Sequence, residues 1–201
     1  MKLALLDNAV CVKATELSRS SGIRIIRPGV SKFDVLFGEK PNSFYTTMND
    51  LLATQREKDT MPEMMAMEYL PDMEGSVDLI AENGKILYMA YRESTVNLHS
   101  MPQAGELKDN TEAYVIAEKV IAALGLTGIA DLDFKNDANE HPVLMEINPR
   151  IAVTMRIFKE SGLNLPYLRI KNLIGEELPN VCTKYVIKMK KRYLKMKPQY
   201  M

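Results

Sequence analysis

The stretch GIADLDFKNDANEHPVLMEINPR, residues 128–150, decides the fold that the sequence predicts. Residues 128–135 and 142–148 are apolar at alternate positions, which is the pattern of β-strands that bury one face. The pentad NDANE, residues 136–140, lies between them and is rich in turn-forming residues. We therefore predict two antiparallel strands joined by a tight polar turn.

One face of this hairpin is predicted to carry acidic and amide side chains. In a register that places Asn136 opposite Val143, four of them pair across the strands: Asp133 with Glu146, and Asp131 with Asn148. Like charges that face each other destabilise a sheet unless a cation lies between them. Oxygen ligands in this number suit Mg²⁺ or Mn²⁺ rather than zinc. The pattern indicates a metal site, although a solvent-facing polar side of an ordinary sheet gives the same spacing.

Two cationic residues are candidates for binding a phosphate. Arg150 follows the second strand directly, and its planar guanidinium can bind a phosphate or a carboxylate. Lys13 lies near the end of a predicted strand that is followed by a hydroxyl-rich loop and by Gly22. Such a loop can fold over phosphates while a lysine reaches beneath them. No GxxxxGK[ST] motif is present, and a mobile surface hairpin with a solvated lysine is the simpler interpretation.

Length and composition exclude several classes of protein. A chain of 201 residues forms one large domain or two small lobes. Its 26 basic and 26 acidic residues balance, so no net field favours a nucleic acid or a membrane. Two cysteines, Cys11 and Cys182, cannot make a disulfide framework or a CxxC zinc site. No apolar run approaches the roughly 20 residues of a membrane span, and no signal peptide is evident. We expect a soluble cytoplasmic domain without nucleic-acid or membrane partners.

The remaining elements predict an α+β fold. Helix 111–124 has the clearest helical spacing of apolar residues, with Thr111 as its cap and Gly125 at its end. Segment 92–106 has no clear period and is predicted to be a loop or an irregular strand. Because the elements do not alternate as βαβ, a parallel sheet is not expected. The other predicted strands are 9–14, 22–27, 64–70, 76–81 and 86–91, and the other predicted helices are 31–37, 46–57, 153–161 and 166–174.

The C-terminal tail, residues 184–197, is basic. Tyr185, Met189, Tyr193 and Met196 have the spacing of one helical face. This pattern predicts an amphipathic tail helix that is solvated, docked on the domain or in contact with phosphates.

Four stretches together resemble the nucleotide-binding part of an ATP-grasp enzyme, of the carbamoyl-phosphate synthase large-subunit type. They occur in that family's order and are VCVKATELSRSSGIRII, MEYLPDMEGSVDLI, LGLTGIADLDF and VLMEINPR. The resemblance implies mostly antiparallel sheets with helices packed on one side, in two small lobes around a nucleotide cleft. It implies a partial small lobe with the phosphate-loop hairpin in 1–66, a larger lobe with the adenine hinge and metal site in 67–179, and a basic tail helix in 180–201.

The resemblance also implies residues that hold ATP. Lys13 matches the strand lysine that contacts the α- and β-phosphates. The flexible loop over the phosphates corresponds to residues 18–22 and includes Ser20, Ser21 and Gly22. The adenine hinge corresponds to residues 67–70, where backbone groups near Glu68 and Leu70 would bind the adenine edge on either side of Tyr69. Glu74 matches the carboxylate that binds the ribose hydroxyls.

The same resemblance assigns the metal ligands and the catalytic cations. Asp133, Glu146 and Asn148 match the Mg²⁺ ligands, and Mn²⁺ is the alternative metal. Arg150 matches the basic residue at the γ-phosphate or acyl phosphate, and Arg92 matches an arginine that contacts substrate or phosphate. His99 is a weaker match, because the register of its loop is not fixed by the sequence.

The implied activity is that of an ATP-dependent ligase that forms carbon–nitrogen bonds. Such enzymes activate a carboxylate as an acyl phosphate, which an amine-type nucleophile then attacks. The expected partners are ATP, a small carboxylate substrate and an N-terminal domain that relatives place before the Lys13 strand. We expect the isolated fragment to be inactive, and a homodimer is one assembly state that the sequence leaves open.

Several positions depart from the family pattern and keep other functions open. Ala14 stands where relatives have a proline, and Gly22 is the loop's only glycine. Asp133 stands where Gln or Glu is common, and residues 151–154 replace a run of small residues. These departures favour a non-catalytic nucleotide-binding or regulatory module as the alternative function. A plain α+β interaction domain is a third interpretation, and it predicts no stabilisation by Mg²⁺ and nucleotide.

Overall fold

The computed structural model describes residues 9–17, 22–39, 43–70, 74–98, 101–185 and 188–190. The chain divides into two compact units, Met1–Tyr69 and Leu70–Met201. The boundary falls within residues 67–70, the segment that the resemblance assigns to the adenine hinge. In the described residues, no helix is both long enough and apolar enough to cross a membrane.

The first unit is built on a sheet of four strands in the order β3-β2-β1-β4. Strand β1 pairs antiparallel with β2 and with β4, whereas β2 and β3 are parallel. The elements in chain order are β1 (Val10–Ala14), β2 (Arg24–Ile26), α1 (Lys32–Gly38), β3 (Tyr45–Thr46), α2 (Met48–Gln55) and β4 (Met64–Glu68).

Both helices of the first unit begin at hydroxyl caps. Ser31 and Asp34 form a reciprocal capping box at the start of α1. The Thr47 hydroxyl accepts from the backbone N–H of Asp50 at the start of α2. The sequence therefore located both helices, and their ends differ from the prediction by at most two residues.

The second unit is built on a sheet of six strands in the order β10-β7-β6-β5-β8-β9. Every neighbouring pair in this sheet is antiparallel. The elements in chain order are β5 (Glu74–Glu82), β6 (Lys85–Leu98), β7 (Met101–Lys108), α3 (Thr111–Leu124), β8 (Gly128–Asn136), β9 (Pro142–Asn148), α4 (Arg156–Glu160), α5 (Leu165–Leu173) and β10 (Lys188–Lys190).

Helices cover both faces of this sheet, so the prediction that they pack on one side is wrong for the second unit. Helix α3 buries Ala113, Ala117 and Ile121 against one face. Helices α4 and α5 bury Ile157, Phe158, Leu165 and Leu168 against the other face. The reason lies in the central strands, which carry apolar residues on both faces, as Leu79 and Ile80 do on β5.

Segment 92–106, predicted as a loop or an irregular strand, lies mainly in regular strands. Strand β6 continues to Leu98, and β7 pairs with it antiparallel, with register shifts near Val96. A Cβ at Gly105 would lie 2.8 Å from the carbonyl oxygen of Glu93, so this close approach requires glycine. Strand formation here depends on the neighbouring strand rather than on an alternating pattern.

The tail differs from its predicted helix. Strand β10 pairs antiparallel with β7, and Lys188 Nζ lies 2.9 Å from Glu106 Oε2. Residues 184–185 are irregular, and residues 186–187 and 191–197 lie outside the described residues. Residues 188–190 thus form a strand in place of the predicted helix, with Lys188 paired to Glu106 of β7.

Residues with positive φ form the β5–β6 turn and the end of α3; the predicted end of α3 is confirmed and its predicted cap is corrected. Asn83 and Gly84 have φ of 49° and 77° and join β5 to β6. Gly125 ends α3 with φ of 59°. The cap of α3 is Asn110 rather than Thr111, because the Asn110 side chain accepts from the backbone N–H of Ala113 at 3.0 Å.

Candidate functional site

The β8–β9 hairpin places the predicted acidic residues opposite one another. Asp133 pairs with Glu146, and Asp131 pairs with Asn148, as predicted. The predicted pairing of Asn136 with Val143 is wrong, because the register shifts between Asp133 and Phe134 and Asn136 pairs with Pro142. This bulge leaves the acidic pairs in register and affects the turn end of the hairpin alone.

One amide links the two facing carboxylates. Asn148 Nδ2 donates to Asp133 Oδ2 at 3.0 Å and to Glu146 Oε1 at 3.1 Å. The two acids and the amide thus converge on one patch of the sheet surface, and all three side chains offer oxygen donors. In the described parts of the chain, no group of three or more His, Cys, Asp or Glu forms a metal cluster. Two carboxylates and one amide would be the ligands of a metal ion at this patch, and oxygen ligands of this kind suit Mg²⁺.

The surroundings of Asp133 destabilise its ionised form. Burial raises its pKa to about 7, with a further rise from the negative charge of Asp131 and a smaller one from Glu146. The hydrogen bond from Ser76 and the charge of Arg92 oppose this rise. A divalent cation beside Asp133 would favour the ionised carboxylate, so the arrangement is one that gains from binding a cation.

Asp78 is a buried acid that the sequence reasoning missed. It lies on β5 opposite Asp131, its side chain is fully buried, and neither of its carboxylate oxygens has a hydrogen-bond partner. Burial, followed by the charge of Asp131, raises its pKa well above the usual range for an aspartic acid. The alternation of Ser76, Asp78 and Ile80 on one face of β5 was the signal that could have found it.

Arg150 lies beside the acidic face, at the end of β9. Its Nη1 donates to Asp131 Oδ2 at 2.8 Å. The Arg150 side chain is 52% exposed whereas that of Asp131 is 5% exposed. The buried carboxylate therefore orients a guanidinium that still has donors available to an anion from solvent.

Arg92 is buried on the same face of the sheet as Asp133. The residue is 3% exposed. Its Nη1 donates to the hydroxyl of Ser94 at 2.7 Å, and its Nη2 donates to the hydroxyl of Ser76 at 2.6 Å. The Ser76 hydroxyl in turn lies 2.7 Å from Asp133 Oδ1. The described contacts of the predicted catalytic Arg92 are thus internal.

The first unit holds the predicted phosphate lysine and its loop. Lys13 is half-buried on β1 and pairs with Met65 on β4. Gly22 has φ of 73°, and a Cβ there would lie 3.1 Å from the Cβ of Ala14. Ser20 and Ser21 lie outside the described residues, as does His99.

The predicted hinge residues lie at the unit boundary. Glu68 ends β4, and the Tyr69 N–H donates to the carbonyl of Ala9 at 3.3 Å. Leu70 is buried, and its carbonyl accepts from Lys135 Nζ at 3.2 Å. Glu74 begins β5.

A tyrosine pair that the sequence reasoning missed fixes one of these hinge residues. The hydroxyls of Tyr69 and Tyr45 lie 3.1 Å apart, and the Arg27 guanidinium lies 3.6 Å from the centre of the Tyr45 ring. Burial, followed by the hydrogen bond with Tyr45, raises the pKa of Tyr69 to about 12. The Tyr69 hydroxyl therefore stays protonated, and its hydrogen bond links the residue that follows β4 to Tyr45 on β3.

A family model described as "ATP-grasp in the biosynthetic pathway with Ter operon" matches residues 60–193, which is more than half of the chain. The chain belongs to this ATP-grasp family. The predicted resemblance to ATP-grasp enzymes is thereby confirmed, and so is the α+β fold. A search of curated proteins finds no match to this ATP-grasp chain.

Solved structures share the ATP-grasp fold at low sequence identity. Biotin carboxylase from Campylobacter jejuni is 18% identical with a TM-score of 0.60, covering 85% of this chain and 38% of that one. The biotin carboxylase domain of 2-oxoglutarate carboxylase from Hydrogenobacter thermophilus is 15% identical with a TM-score of 0.63, covering 92% and 41%. L-amino acid ligase from Bacillus licheniformis is 18% identical with a TM-score of 0.52, covering 83% and 39%. The ATP-grasp chain thus spans about two fifths of each of these chains, and at these identities they show the fold alone.

Proposed function

We propose that this chain is the ATP- and Mg²⁺-binding part of an ATP-dependent ligase. The observation that supports this proposal most directly is the Asn148 amide, which bridges Asp133 and Glu146 while Arg150 lies beside them on the same face. Among the neighbours, the Hydrogenobacter thermophilus domain was solved with MgADP, ADP and bicarbonate. Family membership and this donor set support a reaction in which ATP activates a carboxylate as an acyl phosphate for attack by an amine-type nucleophile. A carbamoyl-phosphate-synthase-like activity is the finer form of this proposal.

Asp133, Glu146 and Asn148 would hold the metal ion. When bound, Mg²⁺ neutralises negative charge on the phosphates of the nucleotide. Arg150 contributes a second, fixed positive charge at the γ-phosphate or acyl phosphate, because Asp131 holds one of its nitrogens and leaves half of the side chain exposed. Charge neutralisation and positioning are what phosphoryl transfer needs from a protein, so no nucleophilic side chain is required.

The resemblance to ATP-grasp enzymes supplies the residues proposed to hold the nucleotide itself. We assign the α- and β-phosphates to Lys13 with the loop that contains Ser20, Ser21 and Gly22. The adenine edge is assigned to backbone groups of Glu68 and Leu70, on either side of Tyr69, and the ribose to Glu74. The end of β4 at Glu68 and the unit boundary after Tyr69 support the hinge assignment.

A non-catalytic nucleotide-binding module is the second candidate function. The observation that favours it is the packing of Gly22, the one glycine of the phosphate loop, against Ala14, which is 1% exposed. A single glycine close to Ala14 gives less backbone freedom for closure over phosphates than several glycines would. Saturable ATP binding without ADP release, in a protein that includes the N-terminal domain found in relatives, would favour this candidate.

Thermal unfolding with Mg²⁺ alone, with ATP alone and with both tests the proposed function. A ligand that binds the folded state alone stabilises it by about 2.7 kcal/mol at a concentration of about 100 times its Kd. We expect the unfolding midpoint to rise more with both ligands than with the sum of each alone, since metal and nucleotide share one site. Equal midpoints in all conditions would contradict the proposal and favour an interaction domain.

A further inference from the structure

A row of four polar side chains crosses the second unit's sheet. Arg92 on β6 pairs with Ser76 on β5, which pairs with Asp133 on β8, which pairs with Glu146 on β9. Directly opposite residues of neighbouring strands project to the same face, so all four lie in one line. The row runs from a buried end at Arg92 to an exposed end at Glu146.

The hydrogen bonds along this row have one direction. A guanidinium has donors and no acceptor, so the contact of 2.6 Å from Arg92 Nη2 to Ser76 Oγ uses the hydroxyl oxygen as acceptor. The hydroxyl hydrogen of Ser76 is then directed at Asp133 Oδ1, 2.7 Å away. The hydrogen bond from Arg92 therefore polarises the Ser76 hydroxyl, and that hydroxyl donates to one oxygen of the Asp133 carboxylate.

Burial makes these two hydrogen bonds difficult to replace. Arg92 is 3% exposed and Ser76 is 2% exposed, so water does not compete at either contact. Hydrogen bonds to ionised groups are stronger than neutral ones, and a low local dielectric increases the difference. Asn148 Nδ2 holds the other oxygen of Asp133 at 3.0 Å. Both oxygens of Asp133 are therefore held in place by neighbouring side chains.

We propose that Arg92 and Ser76 are positioning residues that hold Asp133 in the orientation needed to ligate a divalent cation. The proposal rests on the proposed function, in which Asp133 is a ligand of Mg²⁺. It assigns Arg92 a role through Ser76 rather than a direct contact with substrate or phosphate. A carboxylate oxygen has two lone pairs, so the oxygen that accepts from Ser76 can still face a cation.

Ser94 provides a matched control for Ser76. It is also 2% exposed, and its hydroxyl accepts from the other terminal nitrogen of Arg92 at 2.7 Å. On β6 it pairs with Gly105 of β7, which is the neighbour on the side away from β8. Replacing either serine by alanine removes one hydroxyl from the same arginine, but Ser76 alone continues the row to Asp133.

The test measures how strongly Mg²⁺ tightens ADP binding. Calorimetric titration of the 201-residue chain gives the Kd for ADP in saturating Mg²⁺ and in EDTA, and the ratio of the two is the metal dependence. We expect Ser76→Ala to reduce this ratio by about tenfold, as removal of partners behind metal ligands commonly does. The Kd in EDTA should remain within about twofold of the parent value, because that measurement contains no metal–ligand contact. Ser94→Ala should keep the parent ratio, and Asp133→Asn should abolish the metal dependence.

The outcomes separate this inference from the proposed function. A parent chain whose ADP affinity does not respond to Mg²⁺ contradicts the proposed metal site and the positioning role with it. A parent that responds, with an unchanged ratio in Ser76→Ala, overturns the positioning role alone. Equal losses in Ser76→Ala and Ser94→Ala, or a matching fall of ADP affinity in EDTA, would assign the effect to packing and also overturn it. If Ser76→Ala does not fold, the same ratio is measured for Arg92→Lys. Lysine keeps the positive charge and leaves Ser76 in place, but it lacks the fork of N–H donors of the arginine guanidinium.

Discussion

Glu146 is the exposed member of the facing acidic pair, and Asn148 donates to it and to Asp133. The two carboxylates face each other across β8 and β9, so their mutual repulsion is relieved in part by one amide. Cation binding would relieve it further, and that gain is the physical basis of the proposed metal site. The proposed role of Glu146 as a metal ligand can therefore be tested separately from its contribution to folding.

We expect Glu146→Gln to weaken Mg²⁺-dependent ATP binding by at least about tenfold, because an amide replaces a charged ligand of the cation. The unfolding midpoint without ligand should stay equal or rise slightly, since the change removes a negative charge opposite Asp133. Calorimetric titration with ATP in Mg²⁺ measures the first effect and thermal unfolding the second. Glu118→Gln, on the exposed side of α3, is the control that should change neither.

A Glu146→Gln variant that binds Mg²⁺ and ATP as tightly as the parent would show that the metal assignment is wrong. Loss of binding together with a lowered midpoint without ligand would instead indicate structural damage. The two measurements thus distinguish a ligand from a residue that merely supports the sheet.

At the candidate site, the alternation of residues along two strands predicted which side chains share one face of the hairpin. Asp133, Glu146 and their pairing follow from period-two spacing in a hairpin, and the bulge did not disturb them because it lies towards the turn. Ser76 and Asp78 lie on β5, and their position beside β8 depends on strand order, which local spacing does not contain. The burial of Arg92 likewise depends on what covers the sheet, so sequence could identify the arginine but not its contacts.

Helix α3 shows the same limit at the scale of an element. Its length and its end at Gly125 were predicted from apolar spacing and a C-terminal glycine. Asn110 and Thr111 are adjacent and both belong to residue types that cap helices, so sequence could not decide between them. The structure places Asn110 at the cap and Thr111 in the first turn.

We expect Asn110→Ala to lower the free energy of unfolding by about 1 kcal/mol, because Ala113 N–H loses its acceptor. Thr111→Ala should change it by less than about 0.5 kcal/mol, as is usual for an exposed position without such a contact. Urea unfolding followed by circular dichroism measures both variants. The reverse order of effects would restore Thr111 as the cap.

Strands β6 and β7 were the elements that the sequence predicted least well. Their paired segment contains Gly105 and Pro102, which weaken a strand pattern, and the register shifts within it. The ladder forms because a neighbouring strand is present and because glycine permits close approach to Glu93. Strand β10 then pairs with β7, which replaces the predicted tail helix at residues 188–190.

At the scale of the whole molecule, the sequence predicted the α+β class and the family but not the layering of the second unit. Ordered motifs were sufficient for the family, because each contains functional residues at fixed spacing. Layering depends on both faces of the central strands, and Leu79 and Ile80 are buried on opposite faces of β5. Asp78 of β5 is fully buried as well, and neither oxygen of its carboxyl group has a hydrogen-bond partner.

Asp78 should make the stability of the folded chain depend on pH. Its pKa is raised well above the usual value by burial and then by the charge of Asp131, so the folded state keeps a proton that the unfolded state releases near pH 4. Between these two pKa values the unfolded state binds fewer protons than the folded state. The free energy of unfolding therefore falls as pH rises through this window, by up to about 1.4 kcal/mol per pH unit for this group. Below about pH 4 both states hold the proton, and the contribution is fully present.

Asp78→Asn removes this titration while keeping the shape of the side chain. We expect the free energy of unfolding of the variant, relative to the parent, to increase as the pH rises above the usual pKa of an aspartic acid, whatever its sign at low pH. Urea unfolding at fixed pH steps measures the difference, and Asp109→Asn at an exposed position should run parallel to the parent. The slope is the decisive quantity, because lost packing shifts the variant by a constant amount whereas a buried proton changes the difference with pH. Parallel curves for Asp78→Asn and the parent would mean that the Asp78 carboxyl ionises in the folded chain as readily as in the unfolded one, and the acidic face would then hold one more negative charge at neutral pH.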